Sequence, residues 1–238
     1  MGKTKGKRHK QKNYLKAKEK ILPREYPVEE AISLLKEVKA GNFDESVDIS
    51  IRLGVDPKYP DQMIRGTVVL PHGTGKVNRV LVVAAGEKQK EAEEAGADFV
   101  GGEEMVVKIQ KENWFDFDVL IATPDMMKQV GKLGKLLGPK GLMPSPKAGT
   151  VTFNVKESVS EIKKGRVEFK VDKTGIINST IGKSSFATNA LIENVREFAA
   201  AVMKARPAAL KGKYVLSMYA STTMSPSVKL SPADFEKK

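Results

Sequence analysis

VDISIRLGV, residues 47–55, decides the fold when it is set against VLVVA, residues 80–84. In the first, Val47, Ile49, Ile51, Leu53 and Val55 alternate with Asp48, Ser50 and Arg52. That alternation predicts a strand packed on one face and wet on the other. In the second every residue is apolar, as in a strand buried on both faces. Two sheet environments in one chain imply two kinds of folding unit, and the remaining segments sort between them.

The segment before VDISIRLGV reads as a helix running to about Lys39. Pro27 suits its first turn, Glu29 and Glu30 complement its dipole, and Val28, Ile32, Leu35 and Val38 form its apolar stripe before Gly41. MIRGTVVL then gives a second strand, ending at Pro71-His72-Gly73. The style changes there. Continuous apolar runs at Val80–Ala84 and Val119–Ala122 bracket helices at Glu87–Ala95 and Glu103–Lys111, with a short strand at Asp98–Val100. This alternation predicts a parallel sheet with helices on both sides. A further helix starts at Thr123-Pro124-Asp125, followed by a strand at Val151–Phe153 and a helix at Val155–Lys164.

After Gly165 the half-wet style resumes. Val167, Phe169 and Val171 alternate with charged residues, and Lys173-Thr174-Gly175 predicts a hairpin turn into Ile176–Ile181. A long helix carries Leu191, Val195, Phe198 and Val202 on one stripe and ends at Arg206-Pro207. In the last strand, YVLSMYASTT, Tyr214, Leu216, Met218 and Ala220 are expected inward, with Ser217, Tyr219, Ser221 and Thr223 outward.

The fold expected is an α+β split domain formed by both chain ends, residues 1–70 and 160–238. An inserted three-layer α/β (Rossmann-like) domain spans 71–159. A single elongated domain is the alternative. Two crossings, near Pro71–Gly73 and near Val159–Gly165, make a double hinge, with Pro71, Gly73 and Gly165 as its candidate residues. Charge divides the same way. Residues 71–159 hold twelve basic and twelve acidic residues, so the whole net charge of +12 lies in the flanks. Residues 1–20 form a basic arm with nine lysines and arginines against Glu19 alone, a composition that stays unfolded until it meets a polyanion.

Several functions are excluded or disfavoured. With no cysteine, disulfides, iron–sulfur clusters and cysteine nucleophiles are ruled out, and a reducing cytoplasm fits. No apolar run approaches the roughly 20 residues of a membrane helix, and MGKTKGKRHKQK lacks the apolar core of a secretory signal. His9 and His72 have no partners at metal-ligand spacing. Gly73-Thr74-Gly75-Lys76 fails as a phosphate loop, because Leu70 stands at the first glycine position and Val77 where Ser or Thr must follow. Gly182-Lys183-Ser184 fails at Ile177. The expectation is therefore no enzyme, no metal and no cofactor; a nucleotide-using enzyme built on the inserted domain is the alternative.

Nucleic-acid binding has more support. The wet faces of the flanking strands carry Ser50, Arg52, Lys170, Ser217, Tyr219, Ser221 and Thr223, which suit sugar and phosphate contacts of a folded RNA. Phe43 and Met224 are apolar residues in turn-like contexts, fit either to be buried at an edge or to cover a sugar or base. Gly131–Thr150, GKLGKLLGPKGLMPSPKAGT, is glycine-rich and basic; it is either a second phosphate contact or an ordered connection.

At these residues the chain resembles the bacterial large-subunit ribosomal protein L-one family, the stalk proteins. The resemblance is carried by Asn42-Phe43-Asp44-Glu45-Ser46-Val47, Asp61-Gln62-Met63-Ile64-Arg65-Gly66 and Leu70-Pro71-His72-Gly73-Thr74-Gly75. It continues in Glu91-Ala92-Glu93-Glu94-Ala95-Gly96-Ala97-Asp98, Leu136-Leu137-Gly138-Pro139-Lys140-Gly141-Leu142-Met143-Pro144, Asp172-Lys173-Thr174-Gly175 and Ser221-Thr222-Thr223-Met224. It implies a split two-domain fold and a monomer that binds large-subunit rRNA mainly through its first domain. Phe43, Ser46, Ser217, Thr223 and Met224 match the family's RNA-contacting patches, with Lys170, Lys173 and Thr174 in a neighbouring patch. It further implies a cytoplasmic, ribosomal location, a mobile stalk near the exit tRNA site, release of deacylated tRNA, and repression of the chain's own operon mRNA. Ser225 stands where the family commonly has glycine, which would permit positive φ or closer RNA approach.

Overall fold

A computed structural model of the protein describes residues 13–208, 210 and 212–236. The chain divides into two compact units, one of Met1–Gly75 with Val167–Lys238 and one of Lys76–Arg166. In chain order the elements are α1 (Val28–Glu37), β1 (Ser46–Leu53), β2 (Arg65–Val69), β3 (Val80–Val83), α2 (Glu87–Glu94), β4 (Phe99–Gly101) and α3 (Glu103–Glu112). They continue with β5 (Val119–Ala122), α4 (Val155–Lys163), β6 (Arg166–Lys170), β7 (Ile176–Lys183), α5 (Thr188–Lys204), β8 (Val215–Thr222), β9 (Val228–Leu230) and α6 (Ala233–Glu236).

The first unit is built on an antiparallel sheet of order β7-β1-β8-β9. Its inner face is the row that alternation predicts: Val47, Ile49, Ile51 and Leu53 are all buried. They meet Val28, Ile32 and Leu35 of α1 and Leu191, Val195, Phe198 and Val202 of α5 in one core. β2 and β6 form a separate two-stranded sheet whose Phe169 packs edge-on against Phe198, with ring centroids 5.6 Å apart. The turn at Lys173-Thr174-Gly175 therefore carries the chain from one sheet to the other; β6 pairs with β2 and β7 with β1, so it does not close a two-stranded hairpin. Gly175 fits because its φ is +79°, and an added Cβ would lie 3.2 Å from the Val55 carbonyl oxygen.

The last strand departs from simple alternation. Arg52 pairs with Ser217 but Leu53 pairs with Val215, so Leu216 is an extra residue opposite that step. The bulge turns Leu216 out to solvent and buries Val215 instead. The basic arm also departs from expectation. Residues 13–19 are helical and Ala17 is buried, so this part is not an unfolded tail; residues 1–12 lie outside the described region.

The second unit has a parallel sheet of order β4-β3-β5. Every residue of β3 is buried because both faces are covered. Val80 and Val82 face Ala92 of α2 and Val155, Val159 and Ile162 of α4. Leu81 and Val83 face Val106 and Ile109 of α3 and the helical turns carrying Val130, Leu133 and Leu137. The expected strand at Val151–Phe153 reduces to one bridge, between Ala122 and Val151, and Phe153 is exposed. In Gly131–Thr150 the helical turn Gly134–Leu137 is closed off at Gly141 (φ +71°), with the Leu142 N–H bonded to the Leu137 carbonyl, and a further turn follows at Pro146–Ala148.

The unit boundaries fall later than the expected 70 and 159. Asn194 explains the first. Buried in α5, it accepts the His72 N–H at 3.2 Å and donates to the carbonyls of Gly73 and Ile181 at 2.9 and 2.8 Å. Pro71 and Gly73 are thereby tied into the first unit. At the second boundary, α4 packs into the second unit's core, so the chain leaves only after Gly165 (φ +102°) and Arg166.

Candidate nucleic-acid interface

The outer face of the four-stranded sheet is an array of small polar side chains set by register. Ser46, Asp48, Ser50 and Arg52 of β1 lie between Asn178 and Thr180 of β7 and Ser217, Tyr219 and Ser221 of β8. Ser50 Oγ donates to Asn178 Oδ1 at 2.7 Å, and Thr180 Oγ1 donates to Asp48 Oδ1 at 2.6 Å. These bonds leave the Asn178 amide and most hydroxyls near solvent with further donor and acceptor capacity. A register shift opposite Val47/Asp48 inserts Ile181, so Thr180 and Lys183 point to the same face despite being three apart. Lys183 Nζ then reaches Ser46 Oγ at 2.9 Å.

One end of this face carries two loops, and buried Glu45 locks them together. Glu45 has no exposed surface. Oε1 accepts the Gly41 N–H, while Oε2 accepts the Thr222 hydroxyl and, at 3.0 Å, the Met224 N–H. Burial pushes its pKa up, but the bonds from Thr222, Met224 and Gly41 and the Lys39 charge outweigh that, and the net shift is downward. A Cβ on Gly41 would lie 2.7 Å from Oε1, so the loop needs glycine there. Asp44 faces the other way, accepting from Ser184 Oγ, Ser185 Oγ and the Ser185 N–H at 2.9, 2.9 and 3.0 Å. Hydrogen bonds from Ser184 and then Ser185 hold its carboxyl below the usual range. With Glu45 turned inward and Asp44 held by Ser184 and Ser185, Phe43 projects outward and is 52% exposed; Met224 across the seam is 39% exposed. Ser46 and Thr223 close the seam through Ser46 N–H to Thr223 Oγ1, 3.1 Å, and Thr223 N–H to the Ser46 carbonyl, 3.2 Å.

Ser225 has no positive φ. Its Oγ accepts the Thr222 N–H at 3.0 Å and donates to the Pro226 carbonyl at 3.2 Å, so the hydroxyl fastens the turn that a glycine would leave open.

The expected site residues thus fall into two groups. Phe43, Ser46, Thr223 and Met224 converge at one end, with Ser221 beside them opposite Asp48. Arg52 and Ser217 pair at the other end, some six residues or about 20 Å along β1. The Gly175 carbonyl accepts the Leu53 N–H at 2.8 Å and brings exposed Lys173 and Thr174 to that end. Asp172 shapes this tip, accepting from the Thr174 hydroxyl and the N–H groups of Thr174 and Ile176 at 2.7, 2.7 and 2.9 Å. Lys170 is exposed on β6, in the separate sheet. Glu45, Thr222, Asp48, Asn178, Thr180 and Lys183 were not among the expected residues. The glycine–lysine pairs are occupied structurally: Lys183 in β7, and Lys76 with Asp118 at 2.6 Å.

A sequence profile of the Ribosomal protein L1p/L10e family matches residues 35–226, which include the whole Glu45 seam. The chain belongs to the Ribosomal protein L1p/L10e family. It is 57% identical over 227 residues to the large ribosomal subunit protein uL1 of Solibacter usitatus, covering 95% of this chain and 96% of that protein. It is 61% identical over 223 residues to the uL1 of Persephonella marina, covering 92% of each. The family match runs through both units and both groups of candidate residues. Among the described residues no helix is long and apolar enough to cross a membrane, and no group of three or more metal-ligating side chains occurs.

Proposed function

We propose that this chain is a structural constituent of the large ribosomal subunit and binds large-subunit rRNA through the outer sheet face and the Glu45 seam. The observation that carries this reading is the outward projection of Phe43 and Met224 from two loops clamped by one buried carboxylate. They stand beside a face rich in hydroxyls, with the Asn178 amide among them. Apolar anchors cover a sugar or base, hydroxyls and amides bond sugars and phosphates, and Lys183, Arg52, Lys170 and Lys173 supply charge. Family membership and the relatives' names support the ribosomal setting. The test is a gel-shift titration of the full chain on purified large-subunit rRNA. Nanomolar, salt-dependent binding lost in Thr223→Ala and Met224→Ala supports the reading; binding no tighter than to unrelated RNA overturns it.

Within the same reading, the chain is the protein of a mobile stalk near the exit tRNA site. It assists release of deacylated tRNA and represses its own operon by binding an mRNA that imitates the rRNA site. It is cytoplasmic, and a monomer when free. The division into two units, with the chain passing between them near Gly75–Lys76 and Arg166–Val167, supports hinged motion. Gly165 is its retained hinge candidate, while Pro71 and Gly73 anchor the first unit's side. Both mRNA repression and rRNA binding would use the same seam, so Met224→Ala should relieve repression in a reporter assay.

A further inference from the structure

Beside the seam lies an open-sided cavity of about 510 Å³, in whose lining Tyr219 is the residue shared with the sheet face described above. The segment 14–24 forms one wall, and Tyr219, Pro226, Ser227 and Lys229 form the other. Pro226 is two residues past Met224. Tyr219 stands on β8 between Ser50 and Lys229, so the cavity opens onto the outer sheet face. Tyr14 and Tyr219 both line it and keep 40% and 37% of their surface exposed. Its wall also holds Lys18, Arg24 and Lys229, and no acid. Arg24 is paired with Glu30, and Lys229 with Glu25 at 2.9 Å, both acids lying outside the cavity. Lys18 has no acid partner among the described residues.

We propose that this cavity receives a single unpaired nucleotide of the bound RNA, its base against Tyr14 or Tyr219 and its phosphate toward Lys18. The inference rests on the rRNA-binding reading above and adds to it a base-stacking subsite formed by the arm. Size is consistent, since cavities of roughly 300–1,000 Å³ take ligands of this class. The composition matches as well: exposed aromatic rings stack any base, and cations beside them hold the backbone. A volume of about 510 Å³ is on the scale of one nucleotide and not of a paired stem, which favours an extruded or loop nucleotide. The position explains why part of a very basic arm is folded: the helix at 13–19 and the turn after it are the cavity's wall.

The test uses the full chain and purified large-subunit rRNA. Tyr219→Ala and Tyr14→Ala should each weaken binding roughly tenfold, as loss of one stacked base does, while Tyr219→Phe binds like the parent. Lys18→Gln should lower the salt dependence by about one counterion. Replacing Tyr14 by a photo-crosslinking phenylalanine should yield a crosslink to a nucleotide that is unpaired by chemical probing. Circular dichroism identifies any variant that fails to fold, and the Lys18 and crosslinking results then decide. Unchanged affinity in both alanine variants alongside a large loss in Thr223→Ala overturns the cavity proposal and leaves the rRNA interface standing. Unchanged affinity in all three overturns both. Crosslinks confined to paired stems, or to a protein in intact subunits, also overturn the cavity proposal.

Discussion

Glu45→Gln is the most informative single change, because it alters charge and one acceptor while keeping shape. In the parent, Oε1 accepts from Gly41 and Oε2 from both Thr222 and Met224. Glutamine keeps one oxygen, which can serve Thr222 and Met224. Its NH2 then faces the Gly41 N–H, donor against donor, in a site without exposed surface. One charge-assisted bond is lost, worth about 1.5–3 kcal/mol, and the two remaining bonds become neutral. The relief of a buried charge offsets part of this. We expect a net loss of about 2–3 kcal/mol in urea unfolding followed by far-ultraviolet circular dichroism. The same loosening frees Phe43 and Met224, so rRNA affinity should fall at least tenfold, or about 1.4 kcal/mol. The pH dependence fixes the cause. The carboxyl's pKa is lowered on folding, so its stabilisation is complete above the unfolded value, near 4.5, and drains away as pH falls through the folded value. The stability gap between parent and variant should therefore be constant near neutrality and narrow below about pH 4.5. An unfolding midpoint and an rRNA affinity both within error of the parent would refute the role given to Glu45.

Other changes probe the remaining parts of the interface. Thr223→Ala or Met224→Ala should weaken rRNA binding far more than Lys135→Ala; equal losses in a gel-shift titration count against the seam. Lys183→Ala should reduce affinity severalfold and lower the salt slope by about one, because a cation is removed from the sheet face. Gly175→Ala places a side chain at φ +79° near two carbonyls and should destabilise the chain by about 1–3 kcal/mol in urea unfolding. Neutralising Lys132, Lys135, Lys140 and Lys147 together should leave binding to the isolated rRNA site within tenfold; a larger loss would make Gly131–Thr150 part of the primary interface.

Much of this molecule was legible from local pattern. Alternation at Val47–Val55 and the all-apolar run at Val80–Ala84 report burial on one face or two, a property each strand carries in its own residues. The stripe Val28, Ile32, Leu35 and Val38 gave α1's inner face for the same reason, and Phe43 and Met224 stood out as apolar residues in turns. The seam itself was not legible. Glu45 reads as one more surface acid, and its partners Thr222 and Met224 are 177 and 179 residues away in sequence. Lys183 and Leu216 were misplaced or missed because bulges are set by the partner strand: a single inserted residue reverses every face beyond it.

Local pattern was enough for most of the elements, the two sheet environments, the concentration of positive charge in the flanks and the family. Those follow from side-chain period, charge count and motif order, which need no knowledge of distant partners. Which residues share a surface was set by the tertiary structure alone. It brought Gly41–Ser46 to Thr222–Ser225, sent Lys183 to the outer sheet face, tied Pro71–Gly73 to the first unit through Asn194, and folded residues 13–19 beside Tyr219. Each depends on hydrogen bonds or packing between segments far apart in the chain, whose geometry exists only after the strands have found their register.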